Sequence, residues 1–388
     1  FLLFLMCNAV FAQPHTKKRG KVTTYYANRV KASAGRVMDF KKQGSWRYWN
    51  DSGQLEKIIC YSNDLKNGTY AEFYIGGDTS VFGTYFNDKK SGIWNAWYKN
   101  GKRQYIEYYE YGLKQGTWRT YPELSEAGDS LPSTIVNYEN GKRQGLRFVY
   151  KQGKIREEVN YVGDRVEGSF KKWDSNGLLA VSENYIDGKL DGLCKYYTYE
   201  KCIKEVTYVV GRINGTSVEY DLSGHKFRIS WYNQDIIDST FNFHTNGALA
   251  MARYYKYYPG FANTEEFSDY SEWDSQGHLL LKGTYHFESR DKEWLTFYPD
   301  KKIKSTSNYS GGKLGLYRKW YPNGKLMIEI VCNQNGAVVK PPMVWDLKGK
   351  LIEIGSKTYL EIVESSQPGE TYNPPPQNIE NRTNRTSD

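Results

Sequence analysis

The stretch Gly92–Gln115 reads GIWNAWYKNGKRQYIEYYEYGLKQ and holds every element that decides the fold. It starts at a glycine, places aromatic residues two and five positions later, and then turns at an Asn-Gly pair. A second aromatic-rich stretch follows and leads through Gly-Leu-Lys to the next start. The same frame returns in residues 168–191, GSFKKWDSNGLLAVSENYIDGKLD, and from residue 315, GLYRKWYPNGKLMIEI. A sequence that repeats at a fixed period determines the whole architecture, so the period is more informative than any local motif.

The frame occurs fourteen times, with starts mostly 23 to 25 residues apart. Two longer steps, after Gly116 and Asp238, predict longer surface loops at those places. Ten starts are glycines and four depart from the pattern. The starts are Gly20, Gly44, Gly68, Gly92, Gly116, Gly145, Gly168, Gly192, Gly215, Asp238, Ser268, Lys292, Gly315 and Lys340.

Two aromatic columns predict two strands in each repeat. One column stands five residues after each start, as at Trp97, and the other stands seven residues before the next start, as at Tyr109. Asn100-Gly101 between them suits a tight hairpin, because both residues tolerate a positive φ. The sequence therefore predicts a continuous antiparallel meander. One point stays open: strict alternation puts Trp94 and Trp97 on opposite faces, whereas a bulge would bring them together.

The composition agrees with a β fold that has an aromatic core. The 62 aromatic residues nearly equal the 65 Leu, Ile and Val residues. With so few aliphatic side chains, the rings must supply much of the buried surface. This excludes a Leu/Ala-rich helical bundle and argues against a doubly wound α/β enzyme.

The repeats resemble the MORN-repeat family, in the bacterial variant of the YwqK type. The likeness rests on segments such as WYKNGKRQYIEYYEYGLKQG and KWYPNGKLMIEI, and it covers roughly residues 20–355. The resemblance implies an all-β fold, an elongated twisted antiparallel meander of about fourteen two-stranded hairpin repeats. It also implies a binding or scaffolding role without catalytic activity. Because YwqK-type members are commonly described as antitoxins, neutralisation of a partner toxin is an alternative function.

The termini predict export and an unstructured tail. Residues 1–12, FLLFLMCNAVFA, are expected to be a truncated signal peptide cleaved before Gln13, with Cys7 as an alternative lipoprotein cysteine. Residues 13–19 form a linker, residues 20–364 the repeat array, and residues 365–388 a disordered Pro/Asn-rich tail. We expect a bacterial protein of the periplasm, the outer membrane or the exterior. The apolar run is too short to span a bilayer, so no transmembrane span is expected in the mature chain.

The sequence predicts no catalytic residues, no metal site and no cofactor. Its five histidines form no metal-binding motif, and the recurring aspartates Asp174, Asp274 and Asp346 occupy one turn position of the repeat. Cys60, Cys194, Cys202 and Cys332 remain after cleavage. An exported protein can oxidise them, but only Cys194 and Cys202 are close in sequence, and we expect mostly buried thiols at ring positions.

The predicted binding surface consists of rings and turn lysines. An alternative is that the rings are core and that the lysines protect exposed edges. The net charge of +9 is spread thinly, so nucleic acid is not expected as a partner. A protein or another envelope component is expected, with a glycan or an anionic lipid as alternatives. The candidate residues are Trp97, Tyr121, Trp173, Tyr197, Lys102, Lys142 and Lys189.

Overall fold

The computed structural model describes residues 18–123, 131–257 and 265–366. The predicted signal peptide, most of the linker, parts of both long loops and residues 367–388 of the predicted tail lie outside these ranges. The chain divides into two compact units, Phe1–Asn214 (unit 1) and Gly215–Asp388 (unit 2).

Unit 1 is a meander in which each described strand pairs antiparallel with its sequence neighbours. One repeat supplies two successive strands, and two of the longer strands are interrupted by a single residue. The strands are β1 (Arg19–Tyr25), β2 (Lys31–Met38), β3 (Lys41–Trp49), β4 (Leu55–Ser62), β5 (Leu65–Phe73), β6 (Thr79–Phe86), β7 (Lys89–Trp97), β8 (Arg103–Glu110), β9 (Leu113–Lys114), β10 (Gly116–Thr120), β11 (Thr134–Glu139), β12 (Lys142–Lys151), β13 (Lys154–Val162), β14 (Arg165–Trp173), β15 (Leu179–Ile186), β16 (Lys189–Leu190), β17 (Gly192–Thr198) and β18 (Lys201–Val209).

Unit 2 continues the same pattern of antiparallel neighbours and ends in a helix. Its first strand, β19, begins just before the boundary. The elements are β19 (Arg212–Tyr220), β20 (Lys226–Asn233), β21 (Ile236–Phe243), β22 (Leu249–Tyr257), β23 (Glu265–Trp273), β24 (Leu279–His286), β25 (Ser289–Phe297), β26 (Ile303–Ser310), β27 (Lys313–Trp320), β28 (Leu326–Val331), β29 (Met343–Val344) and α1 (Lys357–Glu364).

The predicted antiparallel meander of hairpin repeats is confirmed, but the last repeat differs from the others. Among the described residues after β28, the short β29 is the only strand, and residues 357–364, which were predicted to belong to the repeat array, form α1. Ser356 caps this helix by accepting the N–H of Tyr359 at 3.3 Å. Tyr359 is buried against Tyr317 and Ile328 in the apolar cluster at this end of unit 2. The helix therefore covers side chains that a further hairpin would otherwise cover.

A bulge at the start of the repeat bends the first strand. Between β6 and β7, Phe82 pairs with Asn95 and Thr84 pairs with Ser91, so Gly83 alone faces residues 92–94. Gly92 has a φ of +67° at this bulge, which explains the glycine that starts the frame. The same three-against-one mismatch occurs between β2 and β3 and between β24 and β25.

The bulge allows an indole ring to lie directly on the preceding strand. Trp94 is only 2% exposed, and a Cβ added to Gly83 would lie 2.3 Å from Trp94 Cδ2. Trp94 Nε1 donates to the Thr84 carbonyl at 3.1 Å. Within the described ranges, the same bond to the carbonyl ten residues earlier recurs at other repeats. The donors and their distances are Trp46 at 3.0 Å, Trp118 at 3.0 Å and Trp294 at 2.9 Å.

Bonds at the turns join each repeat to the next. In the turn within a repeat, Tyr98 Oη donates to the Tyr121 carbonyl at 2.8 Å, 23 residues further on. In the turn between repeats, Asp88 donates its N–H to the Lys66 carbonyl at 2.9 Å and accepts the Lys66 N–H at 2.7 Å. Neighbouring repeats are therefore locked at both ends of their strands as well as along them.

Replacing Gly83 with alanine should lower the free energy of unfolding by about 1–3 kcal/mol, the usual cost of overpacking. The new methyl group would overlap the Trp94 ring. Gly315→Ala is the matched control, because its nearest heavy atom would be the Asn308 carbonyl oxygen at 3.7 Å. Urea unfolding of both variants, followed by circular dichroism, measures the difference. An equal loss of stability in the two variants would show that close packing on Gly83 is not the cause.

Candidate binding surface

Trp94 and Trp97 lie on opposite faces of the sheet. From Trp94 to Trp97 strand β7 has no extra residue; the irregularity at Trp97 lies in β8, where Trp97 pairs with Arg103 and Ala96 with Tyr105. Side chains therefore alternate, and three residues separate opposite faces. This settles the point that the sequence left open. We call the two sides the Trp94 face and the Trp97 face.

The Trp94 face carries a continuous row of packed rings, the ring ladder. Consecutive centroids are 4.9 to 6.5 Å apart, within the range of favourable aromatic contacts. Rings from the first and second strands of the repeats alternate: Tyr70, Trp94 and Trp118 come from first strands, and Tyr85, Tyr109 and Tyr138 come from second strands. Its members are Tyr70, Tyr85, Trp94, Tyr109, Trp118 and Tyr138.

Four lysines lie over rings of this face and form the lysine row, Lys42, Lys66, Lys90 and Lys114. Lys90 Nζ is 4.2 Å from the centroid of Trp94 and 4.8 Å from that of Tyr109. The other three ammonium groups lie 4.4 to 4.9 Å from their nearest ring centroids. These distances are those of cation–π contacts. Each lysine thus holds a positive charge at a defined place above the rings.

Few carboxylates neutralise the lysine row. Within the described part of the chain, the only ion pair of the row joins Lys90 to Glu107 at 3.9 Å. Lys42 Nζ instead donates to the hydroxyl of Tyr48 at 3.0 Å. The row therefore presents positive charge that its own neighbours only partly balance.

Tyrosine hydroxyls surround the lysine row and are hard to ionise. Burial raises the pKa of Tyr61, and its hydrogen bond with Tyr48 raises it further. Burial also raises the pKa values of Tyr70 and Tyr109, with Glu72 and Glu107 as further causes. Tyr109 Oη donates to Glu107 at 3.0 Å, and Tyr70 Oη donates to Glu72. These phenols stay protonated and available for hydrogen bonding through the neutral range.

The four ring residues predicted from the sequence stand on the other face or at its edge. Trp97 is half-buried on the Trp97 face, and Tyr121, Trp173 and Tyr197 occupy the same repeat position, also half-buried. The carbonyl of Trp97 accepts the Tyr74 hydroxyl at 2.7 Å. The carbonyls of Trp97 and Tyr121 therefore help to join neighbouring repeats, and all four rings remain partly accessible.

The three predicted lysines do not form one stripe. Lys102 lies in a turn within a repeat and donates its N–H to Asn100 at 3.0 Å. Lys142 and Lys189 start strands at the turns between repeats, where they pair with Glu139 and Ile186. The two kinds of turn lie at opposite ends of the strands, so the structure separates Lys102 from the other two.

An exposed apolar patch marks the Trp97 face of unit 1. Ile93 is 56% exposed and pairs across the ladder with Tyr108. Phe86 and Tyr111 are also exposed, with their rings 6.3 Å apart. Aromatic and large apolar side chains of this kind are enriched where protein partners meet. We call these four residues the apolar patch.

The cysteines occupy structural positions. All four described cysteines are free thiols, so the local pairing of Cys194 with Cys202 does not occur in this structure. Cys194 is fully buried at the position that Trp94 holds in its repeat, and burial raises the pKa of its thiol. Among the described residues, no group of His, Cys, Asp and Glu is placed to hold a metal ion. No helix in that part of the chain is long and apolar enough to cross a membrane.

The lysine row was not among the predicted residues, although its signal is present in the sequence. The predicted lysines follow the turn glycine, whereas the ring-contacting cation stands two residues before the start of the repeat. Lys42, Lys66, Lys90 and Lys114 recur at intervals of 24 residues, and Arg143 holds the same position over Tyr161, 4.1 Å from the ring centroid. A check of each repeat position for charge would have found them.

Comparison with known families supports the repeat type. Residues 42–63, 290–310 and 313–331 match the MORN repeat variant, and these segments correspond to β3–β4, β25–β26 and β27–β28. The predicted MORN-type repeat is thus confirmed in these three segments. Repeats of this type indicate a repeat protein that binds other molecules.

Comparisons with whole proteins do not indicate a function for this chain. No curated protein matches the chain. The solved structures of TcdB2-TccC3 and TcdB2-TccC3-Cdc42 match at 10% identity, over 84% and 81% of this chain and 23% and 22% of theirs, with TM-scores of 0.16 and 0.14. The Photorhabdus luminescens Tc holotoxin pore matches at 10% identity over 83% of this chain and 23% of that chain, with a TM-score of 0.15. The chain spans less than a quarter of these structures, and such low TM-scores carry no inference.

Replacing Trp94 with phenylalanine should cost about 1–3 kcal/mol of unfolding free energy, because the Thr84 carbonyl loses its buried donor. Trp97→Phe changes a half-buried ring. It should lower the unfolding free energy by less than about 1 kcal/mol, as surface changes usually do. Urea unfolding compares the two variants. Acrylamide should also quench the Trp97 fluorescence more strongly than that of Trp94. Equal costs and equal quenching would contradict the assignment of the two faces.

The raised tyrosine pKa values predict alkaline instability. Since folding favours the neutral phenols of Tyr61, Tyr70 and Tyr109, their contribution to stability is complete below the ordinary pKa of 10.0. It is lost as the pH rises above 10.0 through the raised values. Ultraviolet absorbance of tyrosinate should rise at higher pH in the native chain than in the urea-unfolded chain. Tyr109→Phe should reduce the late-titrating fraction, and coincident titrations of native and unfolded chains would refute the shift.

Proposed function

We propose that this protein is an exported, non-enzymatic repeat protein whose sheet binds another macromolecule of the cell envelope. The observation that carries the proposal is the lysine row above the ring ladder in unit 1. Positive charges, tyrosine hydroxyls and packed rings repeat there at a constant interval on one face. A surface of this kind suits an extended partner, because each repeat offers the same contacts as its neighbour.

The distribution of these groups favours binding over catalysis. General acid–base catalysis needs groups within hydrogen-bond reach of one reacting centre. The lysines of the row stand on separate repeats, and the carboxylates Glu72 and Glu107 engage tyrosines of their own strands. The groups follow a line instead of converging on a point.

The export proposal rests on the N-terminal apolar run, which lies outside the described residues. The thiols are compatible with it. The buried Cys194 has a raised pKa and little thiolate, so it resists oxidation outside the cytosol.

The apolar patch favours a second candidate, an antitoxin-like role of the YwqK type. Phe86, Ile93, Tyr108 and Tyr111 expose apolar surface of the kind that protein partners bury. In this case the Trp97 face, and not the Trp94 face, would contact the partner, and the partner would be a protein.

A photo-crosslinking residue placed in the full chain tests which face binds. Lys57 lies on the Trp94 face, because β4 places it two residues from Ile59, the pairing partner of Trp46, and its side chain is 44% exposed. We expect one defined adduct from position 57 in the native host and none from position 93. Adducts from position 93 alone would establish the antitoxin-like candidate instead.

Fractionation of the same cells checks the destination. The chain should appear in an envelope or secreted fraction with its first residues removed. A chain found wholly in the cytosol would refute export, and the absence of adducts from both positions would refute the binding proposal.

A further inference from the structure

The spacing of the lysine row indicates how the negative charges of a ligand must be spaced. Lys42, Lys66, Lys90 and Lys114 stand on β3, β5, β7 and β9, which are alternate strands of unit 1. Strands lie about 4.8 Å apart, so the row offers one ammonium group roughly every 10 Å. A ligand that uses the whole row must carry negative charges at a similar, sparse interval.

The lysines are held in place before any ligand arrives. Each ammonium group rests on at least one ring, and the backbone of each lysine is bonded to the following turn. The backbone N–H of Lys42 donates to the Asp64 carboxylate, and that of Lys66 donates to the Asp88 carboxylate, each at 2.7 Å. Side chains ordered in advance lose less conformational entropy on binding.

The other groups of this face select against a densely charged polymer. Glu72 and Glu107 lie among the lysines, and each accepts a hydrogen bond from a tyrosine hydroxyl. Duplex DNA carries about one charge per 1.7 Å, so its phosphates would meet these carboxylates as well as the lysines. A polymer with isolated carboxylates can meet the ammonium groups and avoid the glutamates.

The tyrosines favour a ligand rich in hydroxyl groups. Tyr48, Tyr61 and Tyr109 carry hydroxyls on the Trp94 face next to the lysine row. A phenol both donates and accepts hydrogen bonds, as sugar hydroxyls do. The neighbouring carboxylates of Glu72 and Glu107 accept further bonds from such hydroxyls.

We propose that the lysine row binds an acidic polysaccharide that carries about one carboxylate for every two sugars. The ammonium groups pair with successive carboxylates, and the tyrosine hydroxyls and glutamates bond the sugars between them. This inference rests on the proposed binding function and names its ligand class.

The experiment uses the full chain and isothermal titration calorimetry. A hyaluronan octasaccharide, which has one carboxylate per disaccharide, is the probe, and a neutral chitin oligosaccharide is the reference. We expect the octasaccharide to bind and the neutral oligosaccharide not to bind. The double variant Lys66→Gln/Lys114→Gln should weaken octasaccharide binding about tenfold, while Lys142→Gln/Lys189→Gln, which changes two turn lysines of the same unit, should leave it unchanged. Circular dichroism confirms that both variants fold.

Several results would overturn the inference. These are no binding of the octasaccharide, equal weakening in the two double variants, or tighter binding of a single-stranded oligonucleotide or of anionic phosphatidylglycerol vesicles. If the octasaccharide fails while position 57 still gives a defined adduct in cells, the acidic polysaccharide is excluded and the binding function stands.

Discussion

Three repeats in the described part of the chain depend on the contact between an indole ring and a bare glycine of the preceding strand, Trp46 on Gly35, Trp94 on Gly83 and Trp294 on Gly283. Trp94 occupies the space that a side chain at Gly83 would fill, and it donates to the Thr84 carbonyl at 3.1 Å. The bulge at Gly92 brings the ring to this position. One motif therefore couples the backbone of one repeat to the core of the next. In these repeats, aromatic rings supply buried surface that aliphatic side chains supply in most folds.

The same arrangement organises the surface that we propose to bind a partner. In the repeats that start at Gly44, Gly68, Gly92 and Gly116, the lysine two residues before the start lies above packed rings. At Lys90 this places an ammonium group 4.2 Å from the Trp94 ring centroid. The rings of Trp94 and Tyr109 hold this ammonium group together with its ion pair to Glu107, so structure and binding surface share the same residues. Repetition then converts one such contact into a regular row.

The period, the strands and the turns could be predicted from the sequence because they depend on neighbours within about ten residues. The aromatic columns and the turn glycines were sufficient for this, although in the Asn100-Gly101 pair only Gly101 takes a positive φ, of +80°. The helix α1 was missed, since its stability comes from Tyr359 packing against residues such as Tyr317 and Ile328. The recurrence of the lysine row is visible in the sequence, but its contacts with the rings lie between strands, so only the structure shows what these lysines touch. Lys102 and Lys142 look equivalent in sequence, yet they lie at opposite ends of the strands.

The sequence by itself determined that this chain is a β-hairpin repeat with an aromatic core, because period and turn chemistry are local properties. Only the tertiary structure decided which rings are buried. Trp94 and Trp97 are three residues apart and chemically identical, but the alternation of β7 sends one under the lysine row and the other to the opposite face. That difference arises from strand register, which depends on pairing with β6 and β8. Register therefore decides which of the repeated side chains are core and which remain available to a partner.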